Sequence, residues 1–280
     1  MIAVLGGLGA AVCWATGTLS AARASRLVGA RSVLVWVMIV GFVVTAPIAA
    51  ASGVPAGLGA RELGWMAVAG AGNVAGLLLA YEGMRIGKVS IVAPISSTEG
   101  AIAAVLAVAT GEALGGASAA LLALIAVGIV LASLAPSTGG GTHTTRSTLC
   151  AAGAAVSFGC SLFATAKVSN ALPLVWAVIP PRLVGVLVVA LPSLLARRIR
   201  IARNAIPFVV VSGLCEIGGF ASYALGARHG IAVAAVLASQ FAGIAAAAAF
   251  VLFRERLRPV QLAGIGTITV CVALLSAIRA

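Results

Sequence analysis

The stretch GAAVCWATGTLSAARAS, residues 9–25, returns without a gap as GAAVSFGCSLFATAKVS at residues 153–169, an offset of 144 (153 minus 9). Gly9 to Val12 match Gly153 to Val156 letter for letter. A second block recurs at an offset of 143 (213 minus 70). In it Gly70, Gly76, Gly83, Arg85, Gly87, Ser96, Gly100 and Glu112 fall on Gly213, Gly219, Gly226, Arg228, Gly230, Ser239, Gly243 and Glu255. Self-similarity at a long fixed period marks a duplicated structural unit, and alanine-rich composition alone does not place eight such residues in register. The chain is read as two copies, residues 1–135 and 148–280. Between them Pro136 to Ser147 (PSTGGGTHTTRS) forms a polar, glycine-rich linker.

Each copy belongs in a bilayer. Hydrophobic residues make up 62% of the chain and charged residues 9%, and the mean hydropathy is +1.18. Breaks at Gly, Pro and charge clusters leave ten apolar stretches, near 2–22, 32–51, 63–84, 89–110, 114–135, 148–168, 174–195, 206–227, 230–252 and 259–278. A run of about 20 residues at 1.5 Å per residue crosses about 30 Å of hydrocarbon. The runs do not alternate polar with apolar, which excludes a barrel of strands. The expected fold is therefore all-α and integral to the membrane, with ten transmembrane helices in two five-helix repeats. An odd number of crossings makes the second copy enter from the opposite side, so the repeats are inverted and a solute site belongs near the midplane where they meet. The match of the first span to the sixth argues that it is retained, although Ser20-Ala-Ala22 resembles a signal-peptide cleavage site.

The net charge of +12 is a topology signal. Thirteen of the eighteen Lys and Arg residues lie in the odd-numbered loops, among them Arg23, Arg26, Arg31, Lys88, Arg146, Arg203 and Arg258. That bias puts the odd loops in the cytoplasm and both termini outside. Basic residues scattered over short loops suit anionic lipid and do not make a nucleic-acid-binding module.

Charged and polar groups at mid-depth are expensive and mark pathways or partners. Two of the six acids, Glu99 and Glu216, lie about ten residues into their spans, about 15 Å deep. Asn73 occupies the repeat position of Glu216, so the halves differ in charge at one level. Ser96 shares a helical face with Glu99, and its repeat partner Ser239 has Gln240 beside it. Arg182 follows Pro180-Pro181, where missing N–H donors are expected to kink the helix. Its guanidinium either clamps a solute carboxylate or neutralises Glu99 or Glu216. Trp14 and its partner Phe158 sit mid-helix as candidate cavity walls, while Trp65 and Trp176 near span ends suit interface anchors. The candidate solute site is therefore Trp14, Asn73, Ser96, Glu99, Phe158, Arg182, Glu216, Ser239 and Gln240. A carboxylate withdrawn from water favours taking up a proton, which makes Glu99 and Glu216 the candidates for proton coupling. The glycines Gly76, Gly83, Gly87, Gly219, Gly226 and Gly230 are read as packing and hinge positions.

These features resemble the drug/metabolite transporter superfamily in its EamA-type branch, whose layout is ten helices in two homologous five-helix halves. The more specific resemblance is the Glu between the fourth and fifth helix of each half. It appears here as Gly111-Glu112-Ala-Leu114 and Arg254-Glu255-Arg-Leu257, with Arg254 standing where the pattern has Gly. The resemblance implies a transporter of small solutes, with efflux as its direction. Physically, Glu112 and Glu255 stand ahead of the following helix, where a carboxylate caps free N–H groups. They are the structural motif of the fold and not part of the solute site.

No cofactor, metal or catalytic role is expected. The five cysteines are isolated small fillers, His143 and His229 form no cluster, and no P-loop is present. The expected function is a secondary carrier in the cytoplasmic membrane for a small amino-acid-like or amphiphilic solute, working by alternating access. The expected partners are that solute and membrane lipid, with no nucleic acid. A monomer suffices and a homodimer is compatible. A channel would need a continuous polar stripe, and a lipid-acting enzyme a polar cluster at headgroup level beyond isolated Glu82, Arg85 and Lys88.

Overall fold

A computed structural model describes residues 1–86, 92, 95–133, 144–196, 199, 201–241, 243–244 and 259–279. All regular structure among them is helical. Its elements are α1 (Ile2–Val28), α2 (Ala30–Ser52), α3 (Ala60–Ile86), α4 (Glu99–Ala109), α5 (Gly116–Ser133), α6 (Thr144–Ala171), α7 (Leu174–Gly185), α8 (Leu191–Leu195), α9 (Ile206–Ala227), α10 (Ile231–Ala238) and α11 (Pro259–Arg279). Helices are the form in which an apolar segment satisfies every backbone group inside a bilayer. The turn between α1 and α2 is a single residue, Gly29, at φ 87°, whose N–H returns to Ser25 O at 2.9 Å. A side chain is rarely tolerated at that dihedral.

Among the described residues six stretches are long and apolar enough to cross a membrane: Ile2–Ser25, Arg31–Ser52, Ala60–Ala80, Arg146–Ala171, Leu174–Leu195 and Arg203–Ala227. Glu99–Ala109 and Gly116–Gly128 are shorter apolar helices. The ten expected spans are thus represented in part. Residues 242 and 245–252 of the span near 230–252 and the linker residues Pro136 to His143 lie outside the described residues. Thr144 to Ser147, expected in the linker, instead open α6, because TTRS can form the first turn of a helix whose apolar face begins directly after it.

Two spans read as continuous contain a local tightening at the same level. In the fourth, Thr98 N bonds Ile95 O at 3.1 Å and α4 starts at Glu99. In the ninth, Gln240 N bonds Leu237 O at 3.2 Å just after α10. Bonding from i to i−3 narrows the turn and changes the direction in which side chains leave it. The two prolines of α7 do not interrupt it. The irregularity falls further on, at a π-helical turn over Val186–Ala190 that leads into α8.

Packing runs between the halves more than within them. The most extensive contacts are α1 on α9 and α3 on α6, followed by α5 on α11 and by α4 on both α10 and α6. Glycine notches set these crossings. Gly6 lies on Gly226, Gly9 on Ser222 and Gly17 on Cys215, so α1 and α9 run antiparallel. Gly72 lies on Ser157 and Ser161, Gly76 on Phe158 and Gly83 on Cys150, so α3 and α6 do the same. Small residues let backbones approach closely where lipid supplies no hydrophobic drive for association. Ser161 Oγ donates to Ala69 O at 2.7 Å and Ser147 Oγ to Gly83 O at 3.0 Å across the second crossing.

A buried polar cluster between the halves as candidate solute site

The notches come in partners related by the repeat, and they build the candidate site. Phe158 covers Gly76 and Trp14 covers Gly219, so that a Cβ on either glycine would stand 2.5 Å from a ring carbon. In the same way Arg182 covers Gly41 and Met38 covers Gly185, with 2.6 Å from a Cβ at Gly41 to Arg182 Cδ and 2.7 Å from one at Gly185 to Met38 Cγ. Arg182 and Met38 stand 144 residues apart, as do Trp14 and Phe158. Equivalent backbone positions thus carry a guanidinium in one half and a thioether in the other.

Arg182 is fully buried. Its Nη2 donates to Glu216 Oε2 at 3.0 Å, its Nη1 faces Met38 Sδ at 3.7 Å, and its guanidinium lies 5.1 Å from the Phe220 ring centroid. The Glu216 side chain is 23% exposed. The acid therefore stands in front and the arginine behind it. Of the two roles open to Arg182, neutralising Glu216 is the one this structure displays. A charge pair removed from water is held by Coulomb attraction in low dielectric, and only while both partners are present.

Glu99 is 5% exposed at the first residue of α4, directly after the tightened turn. It lies within electrostatic reach of Glu216 and Tyr223, and its carboxyl is tied to no hydrogen-bond partner among the described residues. Gly100 beside it is pressed against Ser239 Oγ and Ala235 O, which brings Ser96, Glu99 and Ser239 to the crossing of α4 with α10. The Ser239 hydroxyl is spent on Ala235 O at 3.0 Å. Ser96 and Gln240 are buried, and neither Ser96 Oγ nor Gln240 Nε2 has a partner among the described residues.

Trp14 is 7% exposed, so it faces the bundle and not lipid. Its indole meets Phe220 edge-on at 5.3 Å and Phe241 at 6.4 Å, with Tyr223 tilted beside it at 6.4 Å. Tyr223 is anchored by its hydroxyl, which donates to Leu162 O at 2.8 Å. Trp14 Nε1, Arg182 Nε, Asn73 Oδ1 and Thr165 Oγ1 are also buried without hydrogen-bond partners among the described residues. Buried polar atoms are normally satisfied, and a group of exceptions marks a place where water or a ligand belongs. Phe158 is half-buried in its separate notch on Gly76.

Phe220, Tyr223, Phe241 and Met38 were not among the residues singled out from sequence. Met38 was legible as the repeat partner of Arg182. The aromatics carried no signal apart from lying on the same spans as Glu216 and Gln240.

Several expectations outside this cluster take a different form. Glu112 does not cap the helix that follows it. Its carboxylate accepts from Ile231 N at 3.0 Å and from Ala232 N at 3.2 Å, capping α10 in the other half. Gly230, at φ 150°, turns the chain into that N-terminus and is a turn residue more than a packing one. Glu255, Arg254, Gly87 and Lys88 lie outside the described residues. Trp65 packs edge-on against Phe163 at 5.7 Å within the core, whereas Trp176 Nε1 reaches Ser52 Oγ at 3.1 Å near the ends of α2 and α7. Arg228 caps the end of α6, with Nε to Ser169 O at 2.7 Å and Nη2 to Leu172 O at 2.9 Å. Among the described residues no group of His, Cys, Asp and Glu is arranged to hold a metal.

Against known proteins, a crystal structure of a protein superposes with a TM-score of 0.79 at 19% identity, covering 99% of this chain and 97% of its own. That likeness shows the fold. No curated protein matches the chain. Residues 1–134 match the model of the EamA-like transporter family. The chain is a multi-pass membrane protein whose first 134 residues are similar to the EamA-like transporters.

Proposed function

We propose that the protein is a secondary carrier of the cytoplasmic membrane that moves a small organic solute, amino-acid-like or amphiphilic, outward by alternating access. The observation that carries this reading is the buried polar cluster between halves whose contacts are exchanged in pairs, α1 with α9 and α6 with α3. Two five-helix halves, 1–135 and 148–280, inverted about an axis in the membrane plane, interconvert between two arrangements that open to opposite sides. The candidate site residues line the solute path, and Glu99 and Glu216 respond to protons or to a cationic solute. Outward direction follows from the family resemblance, and the loop charges put the odd loops in the cytoplasm. A carrier needs no catalytic group.

Purified protein in liposomes tests this, with amino acids and organic cations screened with and without a pH gradient. Solute flux is expected for the wild type and loss of flux for Glu99→Gln and Glu216→Gln variants that remain folded. Unchanged flux in both would remove the two carboxyls from the transport cycle, and absence of flux for every solute class would overturn the carrier reading.

A further inference from the structure

Three observations, taken together, narrow the solute class, resting on the reading of this cluster as the solute site. First, charge is unevenly compensated. Arg182 is sealed behind Glu216 with no exposed surface and is engaged by that acid through Nη2, while its Nε, without a partner among the described residues, is turned onto Gly41. Glu99 has no cation beside it among the described residues; its one charged neighbour there is another acid. Among the described residues the cluster therefore holds two acids and one cation, and that cation is buried behind one of the acids. Second, the wall is aromatic. Trp14, Phe220, Phe241 and Tyr223 lie ring against ring, and Tyr223 stands within reach of both Trp14 and Glu99. Aromatic faces attract ammonium groups, tryptophan most strongly. Third, two buried N–H donors have no acceptor among the described residues: Gln240 Nε2, next in the chain to Phe241, and Trp14 Nε1 on this wall, at the indole edge that packs onto Gly219. A neutral oxygen satisfies them without bringing a second negative charge near Glu99 and Glu216.

We infer that the site takes an organic ammonium that lacks a free carboxylate and carries a neutral acceptor oxygen, such as an amide, ester or hydroxyl, on an apolar or aromatic body. The ammonium sits at Glu99, the body against the Trp14 wall, and the oxygen on the Trp14 and Gln240 donors. An α-amino acid fits worse than its own amide because its carboxylate has no cation to meet. Bringing a like charge into a low-dielectric site beside two carboxyls is costly.

Isothermal titration of the full-length protein in nanodiscs with four related probes tests this: phenylalaninamide, phenethylamine, phenylalanine and 3-phenylpropanoate. Phenylalaninamide is expected to bind about tenfold or more tighter than phenylalanine, with phenethylamine between them and 3-phenylpropanoate not binding. Glu99→Gln is expected to abolish the preference for the amines, and Trp14→Phe to remove the advantage of phenylalaninamide over phenethylamine. Equal or tighter binding of phenylalanine, binding of 3-phenylpropanoate, or no binding by any probe overturns the inference on the wild-type protein alone, whatever the variants do. Binding in this order without flux in liposomes would retain the inference and reject the carrier reading. Flux that favours carboxylates would do the reverse.

Discussion

At the scale of single residues, Arg182 and Glu216 carry the sharpest expectation, because the other half shows what those positions hold without charge. Their repeat partners are Met38 and Asn73. Removing one member of a buried pair leaves the other charged and desolvated, a loss of about 3–5 kcal/mol, whereas replacing both with groups that fit is near neutral. Glu216→Asn alone is therefore expected to lower the melting temperature in detergent sharply. The double variant Arg182→Met with Glu216→Asn is expected to recover most of that loss, since a thioether already lies on the equivalent glycine. Failure of the double variant to recover would mean that the pair is not an isolated unit. A second expectation concerns Gly219. A methyl there meets the Trp14 indole, and overpacking a close contact costs about 1–3 kcal/mol. Gly219→Ala should lower the melting temperature more than Gly64→Ala, since nothing lies within 4 Å of the added atom at Gly64.

Elements show where sequence reading stops. The ends of α9 and of the α7 to α8 stretch match the apolar runs, because flanking polar residues and glycines mark helix ends locally. The tightened turn at Gln240 was not legible, since it sits inside a run of Ala, Val and Leu with no proline to announce it, whereas the turn before Glu99 follows Pro94, a signal the reading of that span as one continuous helix passed over. The target of Glu112 was not legible either. A carboxylate ahead of a helix reads as the cap of that helix, and only the folded chain brings the α10 N-terminus, 119 residues away, against it. Glu112→Ala is accordingly expected to speed amide hydrogen exchange at Ile231 and Ala232 while leaving Gly116 to Ala119 unchanged. The associated loss of stability is about 0.5–2 kcal/mol. Faster exchange at the start of α5 instead would restore the local-cap reading. What the sequence did make legible in the site was its polar content, because buried charge is rare enough in an apolar span to stand out. Its aromatic wall was not, because one phenylalanine in such a span looks like any other.

For the whole molecule, the duplicated glycine ladder predicts the packing partners as well as the repeat, since each notch needs a filler and its counterpart needs the equivalent one. The orientation is testable at this scale. Single cysteines placed at exposed Arg203 and Arg146 in a background lacking the native cysteines are expected to react with a membrane-impermeant maleimide only from the cytoplasmic face. One at exposed Val54, in the turn after α2, is expected to react only from outside. Labelling of all three from one side would overturn the alternating path of the chain.

The exchange of contacts between halves also bears on biogenesis. While the ribosome is still making the second half, α1 and α3 already lie in the bilayer without α9 and α6, and the notches at Gly6, Gly72 and Gly76 have only lipid to fill them. The first half is an open template at that stage, and the order of synthesis makes the arrival of α6, then α9, the steps that close it. Expressed alone, residues 1–135 should therefore be a substrate for membrane quality control, and co-expression with residues 148–280 should protect both fragments together.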